Sequence, residues 1–255
     1  QVTAEFGEPA DHRAIIVEDQ LLVVYQSNVI DKEAGSCAGG PAEDCMEAQS
    51  LMLARFTLEG EELFRGPIVA NVPAEEFSLD SFPDHCLWWD DGTLIVSTGS
   101  QGNGSITFRE VDIEDGSVRE TYRVDTDPAG IPSAIGNSLI RTDTGLYLFS
   151  YILGGSQGHS ALVISQLGDD YQPTQVATFS ADGEEWSFPT SVIQYGDYLM
   201  VGYLSRDANG SRDIETNPFQ PRLLILDRAF NEVDNIQISN EDGFAHVHPT
   251  LVIED

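Results

Sequence analysis

The sequence predicts an all-β fold, a β-propeller of four-stranded antiparallel blades, and three observations predict it. Its apolar runs are short and keep a period of two, tight-turn residues separate them, and one strand-turn-strand pattern recurs along the chain. The 255 residues suffice for a sizeable core, and 41% of them are hydrophobic despite a formal net charge of -31. That apolar content argues against disorder.

The strands come in order. HRAIIVED and QLLVVYQ open the series from His12, and SLMLARF, TLIVSTG, SITFREV, LYLFSY, ALVISQL, YLMVGYL and RLLILDR follow. All are rich in β-branched, leucine or aromatic residues. Asp91-Gly92, Asp115-Gly116, Thr144-Gly145 and Tyr195-Gly196-Asp197 mark turns between them. Helical periodicity is nearly absent, and its best candidate is PAEDCMEAQ, residues 41–49.

The recurring unit is a proline, a small or polar residue, an apolar strand, a turn and a second strand ending near Tyr, Gly or Ser. Copies begin at Phe82, Ile131, Phe188 and His248, and an earlier copy from His12 carries Arg13 in place of proline. A second hairpin follows the pair, as in SITFREVDIEDGSVRETYRV. Four strands per repeat at this spacing mark propeller blades, expected at 10–70, 78–126, 129–180 and 184–240, with a partial fifth at 244–255. Inner strands are expected near 13–18, 84–89, 133–141, 190–195 and 249–254. Five blades are favoured, the last incomplete in this chain.

Composition excludes some functions. With 43 acidic against 12 basic residues and no basic block, the chain repels phosphate backbones and anionic lipid, so nucleic acid and membrane surfaces are not expected partners. No run approaches the roughly 20 apolar residues of a membrane helix, and membrane insertion is not expected. An extracellular or cell-surface location is expected, with any leader already removed. Cys37 and Cys45 bracket a Gly/Ala/Pro loop and could close a disulfide in an oxidising compartment, whereas Cys86 reads as a small buried hydrophobe. No cysteine or histidine spacing supports structural zinc.

Blade topology locates the chemistry. The second-to-third-strand loops are long, the other turns short, and the long loops share a face with the starts of the inner strands. Polar residues at those starts are Asp11 and His12, Asp84 and His85, Ser133, Glu185 with Thr190, and His246 with His248. Carboxylates crowded around a channel can split their pKa values and serve as acid and base, which suits glycoside hydrolysis; polar strand starts also serve as caps and turns. Asp11, Asp84 and Glu185 are the catalytic candidates, and His12, His85, Ser133, Thr190, His246 and His248 the substrate-binding ones. His246 and His248 lie on one side of a strand and could ligate metal or pack structurally. In DANGSRD, Asp207, Asn209 and Asp213 place oxygen atoms at alternate positions, where calcium could sit without the terminal Glu of an EF-hand. NGS at Asn103 and at Asn209 reads as a turn or as a glycosylation acceptor.

Ser180, Asp182, Gly183 and Trp186, followed by the strand through Tyr203, resemble the Asp-box and inner strand of sialidase-like (BNR-repeat) propellers. A second resemblance is to five-bladed glycosidases of the arabinanase/xylosidase kind, which implies carboxylates at the inner-strand starts of successive blades. Asp11 and Asp84 hold two such posts; Ser133 stands at the third, and Glu185 can substitute. The resemblances imply a secreted glycan-active or glycan-binding propeller needing no cofactor, with carbohydrate as partner. The alternative is a non-catalytic propeller used for adhesion or filament assembly on another extracellular protein.

One lysine, Lys32, accompanies eleven arginines, a composition suited to high salt or to an ordinary acidic secreted protein. Under the saline reading, carboxylate repulsion destabilises the fold at low ionic strength. Screening at about 1 M salt, where the Debye length is near 3 Å, relieves it. The melting temperature is expected to rise with NaCl and with KCl, in the presence of a chelator, beyond any rise an uncharged osmolyte gives. A flat or falling trend in thermal melts contradicts the saline reading.

Overall fold

The computed structural model describes residues 8–30, 46–73, 85–90, 92–100, 105–125, 134–152, 161–179, 184–207, 210, 217 and 219–238. Their architecture is an all-β propeller with four antiparallel sheets of four strands, each sheet following chain order. The first holds β1 (Glu8–Val17), β2 (Gln20–Ile30), β3 (Met46–Thr57) and β4 (Glu62–Pro73); the second β5 (His85–Asp90), β6 (Thr93–Ser100), β7 (Ser105–Val111) and β8 (Val118–Asp125). The third holds β9 (Ala134–Thr142), β10 (Gly145–Ile152), β11 (Ala161–Leu167) and β12 (Pro173–Phe179); the fourth β13 (Glu184–Tyr195), β14 (Tyr198–Asp207), β15 (Gln220–Asp227) and β16 (Glu232–Gln237). Two compact units divide the chain: residues 1–98 with 108–121, and residues 99–107 with 122–255.

Each unit has its own core, built by alternation. In the first, Val17, Leu22, Val24, Leu51, Leu53 and Ile68 meet Leu94, Val96 and Val111 of the second sheet. In the second, Tyr147, Phe149, Leu162 and Ile164 meet Leu199, Val201, Tyr203, Leu224 and Leu226 across the third and fourth sheets. Every second residue of a strand faces this layer, because successive side chains point to opposite sides of the sheet. The fourth strands β12 and β16 are largely exposed, as expected of outer edges.

The turns between third and fourth strands repeat one design. Residues 57–61, 168–172 and 227–231 each close with two backbone hydrogen bonds, and the fourth residue of each is left-handed: Gly60, Tyr171 and Phe230. A left-handed aromatic costs on the order of 1 to 2 kcal/mol. Burial and ring contact with the preceding blade offset this strain, since Tyr171 lies 4.6 Å from Tyr122 and Phe230 4.7 Å from Tyr147 between ring centroids. In the second blade Gly116 has φ 73°, and a Cβ there would stand 3.1 Å from the Phe64 ring of the first, so the larger partner sits on the preceding blade. Ion pairs follow the same path. Arg55 of β3 pairs with Glu114, and Arg228 bonds Asp143 at 2.9 Å and Asp197 at 3.0 Å.

Two expectations change, and others fall on residues outside those described. The segment read as helical, 41–49, is strand where it is described: Met46–Gln49 extend β3 because they pair with β2 from Ile30 to Asn28, and a long ladder outweighs two turns of helix. The fourth inner strand begins at Glu184, well before residue 190, because its pairing resumes beyond an irregularity at residues 188–190. Of the Ser180–Trp186 box, residues 180–183 lie outside the described residues, while Trp186 falls within β13 and pairs with Ser205. Four blades are seen among the described residues; the copy from His248 lies outside them, as does the Cys37–Cys45 loop.

Phe149 is 0% exposed in the layer between the third and fourth blades. Phe149→Ala is expected to lower stability by about 3 to 5 kcal/mol in urea titrations at high salt. Asp227 holds its turn by accepting from the Asn231 side chain and from the Ala229 and Asn231 amides, and these bonds, Asn231 first, hold its carboxyl below the ordinary value. Its pKa is lower folded than unfolded, so its stabilisation is full above about pH 4 and is lost as pH falls through the folded value. Asp227→Ala is expected to be less stable at neutral pH and to lose less on acidification, read as melting temperature against pH.

Candidate functional site

Within each unit, the starts of the first strands lie at the end of the blades opposite the hairpin turns and form the candidate region. These strands are neighbours within each unit: β1 contacts β5, and β9 contacts β13. Each described ladder between a first and a second strand, except that of the second blade, slips at one place. Asp11 has no partner between the pairs Ala10–Gln26 and His12–Tyr25, Gly136 none between Asn137–Ser150 and Ile135–Tyr151, and residues 188–190 bulge between Ser187–Leu204 and Ser191–Gly202. Counted back from the last strand residue, Val17, Thr142 and Tyr195, these bulges occupy one station. Bulges bend a strand and re-aim its residues, and they gather beside functional sites.

In the second blade the same count from Asp90 reaches Asp84, which lies outside the described residues, and the next station is His85. By this count along the sequence Asp84 and His85 correspond to Asp11 and His12, and of these four residues Asp84 lies outside the described ones. The next-station residue is Asn137 in the third blade and Thr190 in the fourth. Glu185 lies farther out in β13, paired with Arg206. Ser133, His246 and His248 fall outside the described residues. His12 is exposed and pairs with Tyr25, on the side of the first blade away from the Leu22–Val24 layer.

The apolar layer between the first two blades turns polar at this end. On β2 the stripe runs Leu22, Val24, Gln26; on β6 it runs Leu94, Val96, Thr98; on β7, Val111 gives way to Arg109. Gln26 and Thr98 are each 5% exposed. Arg109 Nη1 donates to Thr98 Oγ1 at 2.8 Å, and burial lowers the guanidinium's pKa below its ordinary value. Thr98 pairs across the ladder with His85, so this polar row runs from the station of the candidate residues out to β7. Sequence reasoning missed the row. Its signal was a polar residue continuing an apolar period-two stripe, in LLVVYQ, LIVST and FREV.

Among the described residues no three His, Cys, Asp or Glu side chains gather as a metal site. Asp207 ends β14 with its carbonyl accepting from Asn217 at 2.7 Å and from Gly210 at 3.2 Å, while Asn209 and Asp213 lie outside the described residues.

No protein-family model matches the sequence, and no curated protein matches it. Solved structures do. An α-L-arabinofuranosidase from Clostridium thermocellum is 14% identical with a TM-score of 0.53, over 99% of this chain and 80% of that one. An α-L-arabinanase of Cellvibrio cellulosa complexed with arabinohexaose is 10% identical with a TM-score of 0.52, over 93% of this chain and 79% of that one. A bifunctional GH43-CE protein of Bacteroides eggerthii is 10% identical with a TM-score of 0.55, over 91% of this chain and 28% of that one. The chain spans 28%, 42% and 49% of three such relatives. These likenesses establish the propeller fold and match the arabinanase/xylosidase resemblance; the sialidase resemblance gains no support from them.

Proposed function

We propose that the chain is a glycan-active propeller that hydrolyses glycosidic bonds, with Asp11 and Asp84 as its carboxylate pair. The observation that carries the reading is the likeness, over nine-tenths or more of the chain, to propellers that are arabinan- and arabinoside-degrading enzymes by description. The equal count of Asp11 and Asp84 from their hairpin turns along the sequence supports it from the residues. One carboxyl protonates the leaving oxygen while the other attacks the sugar or activates water. A separation of about 5 Å gives retention of configuration, and one of roughly 6.5 to 9.5 Å gives inversion. Mutual repulsion raises the pKa of one member, which keeps it protonated as the acid.

The same reading takes the propeller as five-bladed. On the side of the fourth blade away from the third, Tyr195 is 57% exposed, Tyr198 44% and Ile236 42%, an apolar face of the kind that a further blade covers. Polymeric glycan as substrate accords with an extracellular or cell-surface location. The adhesion reading has no observation in its favour, and calcium at the loop after Asp207 is not needed for two-carboxylate chemistry.

At molar NaCl the chain is expected to hydrolyse at least one of the 4-nitrophenyl α-L-arabinofuranoside, β-D-xyloside and β-D-galactoside. Asp11→Asn and Asp84→Asn are each expected to lower kcat by about 10²- to 10⁴-fold with melting temperature unchanged. Activity that survives both substitutions refutes the assignment of the pair. Failure to hydrolyse these substrates or arabinan refutes the hydrolase reading.

A further inference from the structure

We propose that Arg109 grips a carboxylate of the bound glycan, making chains that bear uronic acid the preferred ligands of the site. The inference rests on the glycan-active reading and adds the substrate class to it. Four described arginines, Arg55, Arg65, Arg119 and Arg228, pair with carboxylates near the turns. Arg109 instead meets a neutral hydroxyl, Thr98 Oγ1, in a partly buried position. Among the described residues no carboxylate pairs with it, and a partly buried guanidinium without an anion is costly.

Position gives the cost a purpose. Arg109 faces the layer between the first and second blades, as Val111 does, and its bond to Thr98 turns the guanidinium toward the first strand. Thr98 pairs with His85, and adjacent strands lie about 4.8 Å apart, so a sugar held at the start of β5 is within reach of the side chain. The planar fork has further N–H donors beyond the one used on Thr98, and two of them match the spacing of a carboxylate. The chain's charge of -31 repels anionic glycans at long range, but molar salt screens that field while a partly buried contact persists.

The test is calorimetric, at molar NaCl, with the full chain. Its probes are glucuronic-acid-substituted xylo-oligosaccharides and the same oligosaccharides after carboxyl reduction. Wild type is expected to bind the acidic form about tenfold more tightly or better, the yield of one charge-assisted pair. Arg109→Gln is expected to bind both forms alike, and Arg109→Lys to keep part of the preference. Equal affinity of wild type for the two forms overturns the proposal without touching the hydrolase reading, and this comparison needs no variant to fold. A preference retained in Arg109→Gln overturns it as well. Binding of neither form, with aryl arabinofuranoside still hydrolysed, overturns the acidic-glycan assignment alone; loss of both overturns the functional reading with it.

Discussion

A four-stranded sheet with apolar residues on both faces cannot stand in water, and this constraint governs the rest of the structure. The first blade shows both faces at once: Leu22, Val24, Leu51 and Leu53 lie on one side, and Tyr25, Met52 and Ala54 are buried on the other. A sheet of this kind must be covered twice, and repeating it around an axis is one way to do so. The turn design follows from the same need. A third-to-fourth-strand turn ends where one blade meets the next, so a ring there closes the layer against solvent. Tyr171 and Phe230 accept left-handed backbone to put their rings in that position.

The two ends of the blades are therefore built differently. At the turn end, backbone-closed turns, Asp227-type side-chain bonds and the Arg228 bridge fix the loops tightly. At the other end the ladders slip, at Asp11, at Gly136 and at residues 188–190, and the layer turns polar. Rigid closure at one end lets the other carry irregular backbone and desolvated polar groups without loss of the fold. Such a division is what a binding site on a repeated scaffold requires.

Much of the fold was legible because period two and turn residues are written locally. The second inner strand, expected near 84–89, is β5 at His85–Asp90, and the third, expected near 133–141, is β9 at Ala134–Thr142. The bulged strand β13 was misjudged at its start, although β9, which also bulges, was not. A bulge breaks the alternation, so residues 184–187 beyond the break in β13 did not read as part of the strand that ends at Tyr195. Aligning the copies on proline had the same weakness, because the hairpin turn, not the proline, fixes the register. Counting along the sequence from the turn gives Asp11 and Asp84 the same number, and gives it also to Gly136 and Pro189, which carry no acid. Arg109 was illegible for another reason: its meaning depends on facing Thr98 across a strand pair whose register no local pattern states.

The charge balance ties these points together. In a chain with this excess of carboxylates each cation is surrounded by possible partners, so where an arginine goes reflects geometry more than scarcity of acids. Lysine, a strongly hydrated point charge, would gain little at a crowded turn. Arginine's fork can bond two carboxylates at once, as Arg228 does with Asp143 and Asp197. Pairs so exposed contribute little energy singly, and their effect is to choose one turn arrangement among several. Burial reverses that weighting. Arg109 sits where solvent screening is weaker, so a charge there acts strongly at contact, whereas the field of the whole surface acts on how fast charged molecules arrive.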